Sequence, residues 1–286
     1  MTAISNNNSS KSSFKNGAIG TAAFIAGWES QTYLSKFARI PVLKYSKPQF
    51  EYIRGGGFLP YVNNALEQNG LMDKVEIVNV NKNNAKQIWK DLNFRTEEKT
   101  TIRKIIDHLL RLPSAENSFV RTVNGSNAFY LPRRNAIVCN FEKFGAPIFH
   151  EIQHKINRTS SNIFLKSLAK VKHPLAIFGP LSISCCALIR DKKKDGEKEN
   201  ILDKIKNNCG LLAFLCVLPH TIEEFIANIK GTSIAKKAGV SGELLKKIKV
   251  THKVSMIGYG ASALITALSV WGGNKIRDLI CKLKDK

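Results

Sequence analysis

Acidic residues are scarce in this chain. Only 22 Asp and Glu stand against 44 Lys and Arg, a formal net charge of +22 over 286 residues. A surface this basic favours polyanionic neighbours, with nucleic acid and anionic lipid headgroups the first two to consider. The patterns that would turn charge into nucleic-acid recognition are missing. There is no zinc-finger spacing, no RNP-like motif, no helix-turn-helix signal and no compact Arg-rich arm with interleaved aromatics. The lysines are spread among Asn, Ser and acidic residues, as on an ordinary solvated surface. No specific nucleic-acid partner is therefore expected.

Paired cysteines are lacking too. The six Cys residues form no C-x-x-C pair, and four of them sit in apolar stretches where a thiol packs as a small hydrophobe. That argues against a disulfide framework and for a reducing compartment. Gly55-Gly56-Gly57 is not followed by the Lys-Ser/Thr of a phosphate loop and reads as a flexible joint. Residues 2–16, rich in Asn, Ser and Lys, are expected to be disordered. Gly17–Trp28 is apolar but short, with no clear small-residue cleavage site after it. It reads as an interfacial or packed helix rather than a secretory signal.

What is present begins with short regular elements. Leu59 to Gly70 reads as a helix, and Lys74–Val80 (KVEIVNV) alternates like a strand. Asn84–Leu92 reads as a second helix. Thr96, as N-cap, opens a third that carries Ile102, Ile105, Ile106, Leu109 and Leu110 at helical spacing and closes at Leu112-Pro113. Two β-prone runs, Ala128–Leu131 and Ala136–Cys139, flank Pro132-Arg133-Arg134-Asn135, a hairpin pattern with a four-residue connection. A helix from about Ala146 through Asn157 follows, with Pro147 in its first turn, where proline is tolerated.

Three apolar stretches lie beyond it, at 173–189, 209–222 and 255–273. A membrane span needs about 20 residues. Only the last approaches that length, and it is rich in Gly, Ala and Ser, as packed membrane helices are. The other two read as tilted spans, a re-entrant hairpin or core helices. The loops at 190–207, 230–253 and 274–286 are all Lys-rich, so the positive-inside rule gives no orientation.

The chemistry concentrates in His150-Glu151-Ile152-Gln153-His154. H-E-x-x-H on a helix brings both imidazoles to one face, one turn apart, where they can take two corners of a tetrahedral zinc site. The glutamate between them is placed to take a proton from water that the metal polarises. A catalytic zinc needs a third protein ligand, and two carboxylates, Glu223 and Glu224, follow the second apolar stretch.

HEIQH followed at a distance by Glu224-Phe225-Ile226-Ala227-Asn228 resembles the gluzincin zinc metallopeptidases, specifically the integral-membrane group of the CAAX prenyl protease and the bacterial protease HtpX. The resemblance covers about 126–240, with two apolar segments between the motifs, as in that group. It implies that Glu224 is the third ligand and that Asn228 stands where the family has an Asp orienting a histidine. It also implies that Asn127-Ala128-Phe129 forms an edge strand pairing with an extended peptide substrate. Gln153 stands where Gly is common. The interval from the hairpin to His150 is shorter than in close family members.

The expectation is thus an α+β, mostly α, zincin-like domain with a small hairpin or sheet and apolar helices able to enter a membrane. Its segments are a polar N-terminus at 1–16, an apolar or amphipathic stretch at 17–55, and a metallopeptidase-like domain at 56–286. The expected site is Glu151 as general base, His150, His154 and Glu224 on Zn2+, Asn127, Ala128 and Phe129 on substrate, and Asn228 behind a histidine. The implied partners are a peptide or protein substrate and membrane lipid. The implied location is a membrane, cytoplasmic or inner, with the site facing a reducing compartment. His220 and His252 could stabilise an oxyanion but read first as packing residues, as do His173 and His108. Cys139 reads as a buried strand residue, and Arg133 and Arg134 as exposed turn residues. Two other readings stay open: a zinc-binding membrane protein without turnover, and a basic protein binding nucleic acid or anionic lipid.

Overall fold

The computed structural model describes residues 59–92, 115–125, 127–143, 145–189 and 198–284. The N-terminal segments at 1–16 and 17–55, Gly55-Gly56-Gly57, the Thr96-capped helix and His108 lie outside the described residues. The described chain is mostly helical with one small mixed sheet. It forms two compact units. One holds the described parts of Ala38–Lys170 and Ile222–Tyr259, the other those of Val171–Thr221 and Gly260–Lys286.

The first unit is built on three strands. These are β1 (Glu76–Asn79), β2 (Phe129–Leu131) and β3 (Ala136–Cys139), in the order β1-β3-β2. β1 runs parallel to β3, with Glu76 opposite Ala136. β2 and β3 make the expected hairpin, Phe129 opposite Val138 and Leu131 opposite Ala136. Asn135 closes the turn at φ 49°, a left-handed conformation that Asn tolerates better than most residues. β3 is central and buried at all four positions. This suits its unbroken apolar run, because a strand covered on both faces does not alternate.

Alternate β3 side chains feed two cores. Ile137 and Cys139 join the larger one, with Val62, Ala65 and Leu66 of α1 (Leu59–Gln68) and Ile148, Phe149 and Ile152 of α4 (Ile148–Thr159). Val138 points to the other face, among Val80, Leu92 and Phe119. There Trp89 of α2 (Ala85–Asp91) meets Phe119 of α3 (Ala115–Val123) edge-on, ring centres 5.0 Å apart. The sheet is thus sandwiched by helices, as its two-sided apolar pattern requires.

The second unit is helical. It takes the later part of α5 (Ile163–Ile189), all of α6 (Ile201–Asn207), the first part of α7 (Cys209–Lys237) and the last part of α8 (Gly242–Lys284). All three apolar stretches of the sequence are helical. α6 starts with a capping box, in which the Asn200 side chain accepts from the Asp203 backbone amide and the Asp203 carboxylate accepts from the Asn200 backbone amide. Gly179 of α5 faces Cys216 so closely that a Cβ there would come within 2.6 Å of it, the small-residue contact that lets apolar helices approach. Among the described residues, two helices, α7 and α8, are long and apolar enough to cross a membrane.

Candidate metal centre

α4 is buried almost all round, including polar positions. His150, Glu151, Gln153, Lys155 and Asn157 are all buried beside Ile148, Phe149 and Ile152. Burying that many polar groups is costly unless each finds a partner, so the partners define the site.

His150 and His154 lie one turn apart, with their Nε2 atoms 2.8 Å from each other. Glu224, from the second half of α7, places Oε2 3.1 Å from His150 Nε2 and 3.6 Å from His154 Nε2. A tetrahedral ion bonded at about 2.0–2.1 Å separates its ligand atoms by roughly 3.3 Å. The three observed edges bracket that length, and two imidazoles with one carboxylate are a metal-ligating donor set. These residues therefore fit a metal ion. Glu151 completes the group: one of its oxygens and one nitrogen each of His150 and His154 lie within 4.8 Å of one another.

The close approach of α7 to α4 depends on one glycine. A Cβ on Gly231 would sit 2.9 Å from the Phe149 carbonyl oxygen and 3.0 Å from the His150 nitrogen. Only a hydrogen at this position lets α7 lie against the α4 backbone. Ala227 and Ala235 are fully buried and extend the same small-residue surface.

Glu223, which the sequence offered only as the carboxylate beside Glu224, orients a histidine. Its Oε1 accepts from His154 Nδ1 at 2.8 Å and from Asn157 Nδ2 at 3.0 Å. Gln153 in turn donates to Asn157 Oδ1 at 2.6 Å. With its proton on Nδ1 and held by a carboxylate, His154 presents a bare Nε2 to the ligand triangle. Gln153, the residue standing where the resembling family favours Gly, is thus the outer end of this chain. The only sequence signal for Glu223 was its place beside Glu224.

Asn228, expected behind a histidine, has a different contact. Its side-chain amide donates to the Glu224 carbonyl one turn back, at 2.8 Å; the carboxylate that orients a histidine is Glu223. His252 of α8 is buried near His150, ring centres 6.1 Å apart, although its sequence context suggested simple packing. His220 pairs with His173 in the helical unit, ring centres 5.4 Å apart.

The Asn127-Ala128-Phe129 segment enters an edge strand as expected, with the strand itself starting at Phe129. Ala128 is buried in the larger core, while the Phe129 side chain packs on the opposite face of the sheet, among the smaller cluster. What β2 directs at the site is the Tyr130 amide, which donates to Glu151 Oε2 at 2.9 Å. Tyr130 Oη and Lys155 Nζ both donate to Asn135 Oδ1, at 3.0 and 2.7 Å, pinning the hairpin turn to α4. Burial, with Arg158 and Lys74 nearby, lowers the Lys155 pKa. Cys139 is fully buried; burial first, then the Glu151 charge, pushes its thiol pKa up. Arg133 and Arg134 are exposed, as expected of turn residues.

Set against protein-family models, curated proteins and solved structures, the chain matches none.

Proposed function

We propose that this protein is a zinc-dependent metalloendopeptidase working at a membrane, of the gluzincin type that its HEIQH and EFIAN motifs resemble. The observation that carries the reading is the triangle of His150 Nε2, His154 Nε2 and Glu224 Oε2, with edges of 2.8, 3.1 and 3.6 Å, beside Glu151. Two imidazoles and a carboxylate are the ligand set of catalytic zinc in this type of peptidase. Bound there, zinc would polarise a peptide carbonyl and a water molecule.

The chain's own residues supply the rest. Glu151 takes a proton from the attacking water and delivers it to the leaving amine. The Tyr130 N–H holds the Glu151 carboxylate next to the histidines. Glu223 keeps the His154 proton on Nδ1, away from the ligand triangle. β2 is an edge strand beside these groups, so an extended peptide can add to it by backbone pairing. Support for the membrane comes from α7 and α8: only 39% and 17% of their most apolar stretches are buried, whereas the core helix of a soluble domain would be mostly covered.

The test combines metal content with turnover in the detergent-purified chain. Near one zinc per chain is expected in the wild type and a large loss in Glu224→Ala. Glu151→Gln should keep the zinc and lose hydrolysis of an unfolded protein substrate by about 10²–10⁴-fold. A folded wild-type chain without zinc would sink the reading. Zinc with no Glu151-dependent hydrolysis would leave a metal-binding membrane protein without turnover.

A further inference from the structure

Two buried nitrogens near the ligand triangle have no hydrogen-bond partner among the described residues: His150 Nδ1 and His252 Nε2. They belong to neighbouring rings whose centres are 6.1 Å apart, tilted at 52° to each other. His252 is 3% exposed and His150 7%, so bulk water is a poor substitute for a protein partner at either atom.

The neighbours of His252 set its tautomer. Thr232 has one hydroxyl proton, and its Oγ1 lies 2.9 Å from the Asn228 carbonyl oxygen as donor. The same Oγ1 is 2.6 Å from His252 Nδ1. Both contacts are satisfied when His252 Nδ1–H donates to Thr232 and Thr232 donates to Asn228. His252 Nε2 then carries a lone pair and no proton. In this state it cannot donate to an oxyanion; it can only accept. His150 has the complementary need. Coordinating through Nε2, it keeps its proton on Nδ1, and a metal-bound histidine nearly always gives that proton to a carboxylate, a carbonyl or water. His154 has Glu223 for this purpose. Asn228, at the position where the resembling family has its orienting Asp, turns its amide to the Glu224 carbonyl instead.

We propose that His252 is the positioning residue of His150, its Nε2 accepting the His150 Nδ1–H bond in the metal-loaded site. A direct bond of about 2.9 Å would bring the two ring centres to roughly 5 Å, so closure takes a ring movement of about 1 Å. Each ligand histidine then has its own orienting partner: a carboxylate from α7 for His154 and an imidazole from α8 for His150. The proposal rests on the metal-site reading above, and its test separates the two.

Zinc affinity of the full-length chain is measured by chelator competition, with the ¹⁵N resonances of His150 as a second readout. The wild type should bind one zinc tightly. His252→Ala should weaken binding about 10–100-fold, and His252→Gln, which restores an acceptor oxygen, should recover part of the loss. Thr232→Val removes the group that sets the tautomer and should weaken binding several-fold; it keeps the test readable if the alanine variant fails to fold. A protonated, hydrogen-bonded Nδ1 signal from His150 should be present in zinc-loaded wild type and altered in His252→Ala. Wild type without zinc overturns both readings. Tight zinc in wild type, His252→Ala and Thr232→Val alike overturns this one alone, as does a large loss in Asn228→Ala with none in the His252 variants.

Discussion

In the sheet unit, α4 hides His150, Glu151, Gln153, Lys155 and Asn157 from solvent. In the helical unit, α8 shows Leu264, Leu268 and Trp271 to it, each about half exposed or more. The two regions invert the usual order, one burying polar groups and the other exposing apolar ones. Each inversion carries a cost in water, which a partner of matching chemistry would offset. Buried polar groups persist when they partner one another or an ion. Exposed apolar side chains at helical spacing persist when lipid or another chain covers them. The candidate site and the exposed apolar face are therefore written in separate regions, in opposite chemical terms.

This contrast can be broken from the polar side first. The largest effect is expected from Glu151→Gln, which should cut turnover about 10²–10⁴-fold and leave zinc and fold intact. Glu223→Ala comes next. It strands the His154 Nδ1 proton and the Asn157 amide in a buried setting, and should lower zinc affinity about 10–100-fold by chelator competition. If affinity stays at the wild-type level, His154 is held by something other than Glu223.

Gly231→Ala tests the packing beneath the site. Its added methyl meets backbone at 2.9–3.1 Å, so α7 must retreat from α4. A stability loss of about 1–3 kcal/mol is expected in denaturant melts, together with weaker zinc binding as Glu224 is carried away from the histidines. Equal zinc affinity in a destabilised variant would uncouple helix approach from ligand geometry.

On the apolar side, Leu268→Arg places a charge on the exposed face of α8. If lipid covers that face at mid-depth, insertion is disfavoured by about 2.5–3.5 kcal/mol, and the membrane-pelleted fraction should fall. A chain that pellets unchanged and melts unchanged would show that Leu268 faces water. The smallest effect is expected at Cys139. Its raised pKa keeps the thiol protonated through the ordinary pH range, so alkylation at pH 8 should be negligible in the folded chain and appear only on denaturation.

The elements near the site were legible wherever they were local. The β2–β3 hairpin follows from two β-prone runs around Pro132–Asn135, and its four-residue connection is as expected. α4 and its one-turn histidine spacing follow from helical geometry. Glu224 was reached through motif resemblance, and its carboxylate does meet both histidines. Glu223, Gly231 and His252 could not be read in the same way. Glu223 reaches His154 across 69 residues of chain, and either glutamate of the pair could have faced inward. Gly231 matters only because α4 lies against it. His252 sits in a Lys-rich stretch that resembles any solvated helix.

The sequence by itself determined the local matters: which segments coil, where the hairpin turns, and that two imidazoles share a helix face. These depend on dihedral preferences and on periodicity within a few residues. Tertiary structure decided that the Glu224 carboxylate meets both histidines while Glu223 supports His154 from behind, and which later histidine came to rest beside His150. Those outcomes depend on how α7 and α8 approach α4, and that approach depends on the close packing of residues far apart in the chain, which no short window of sequence contains.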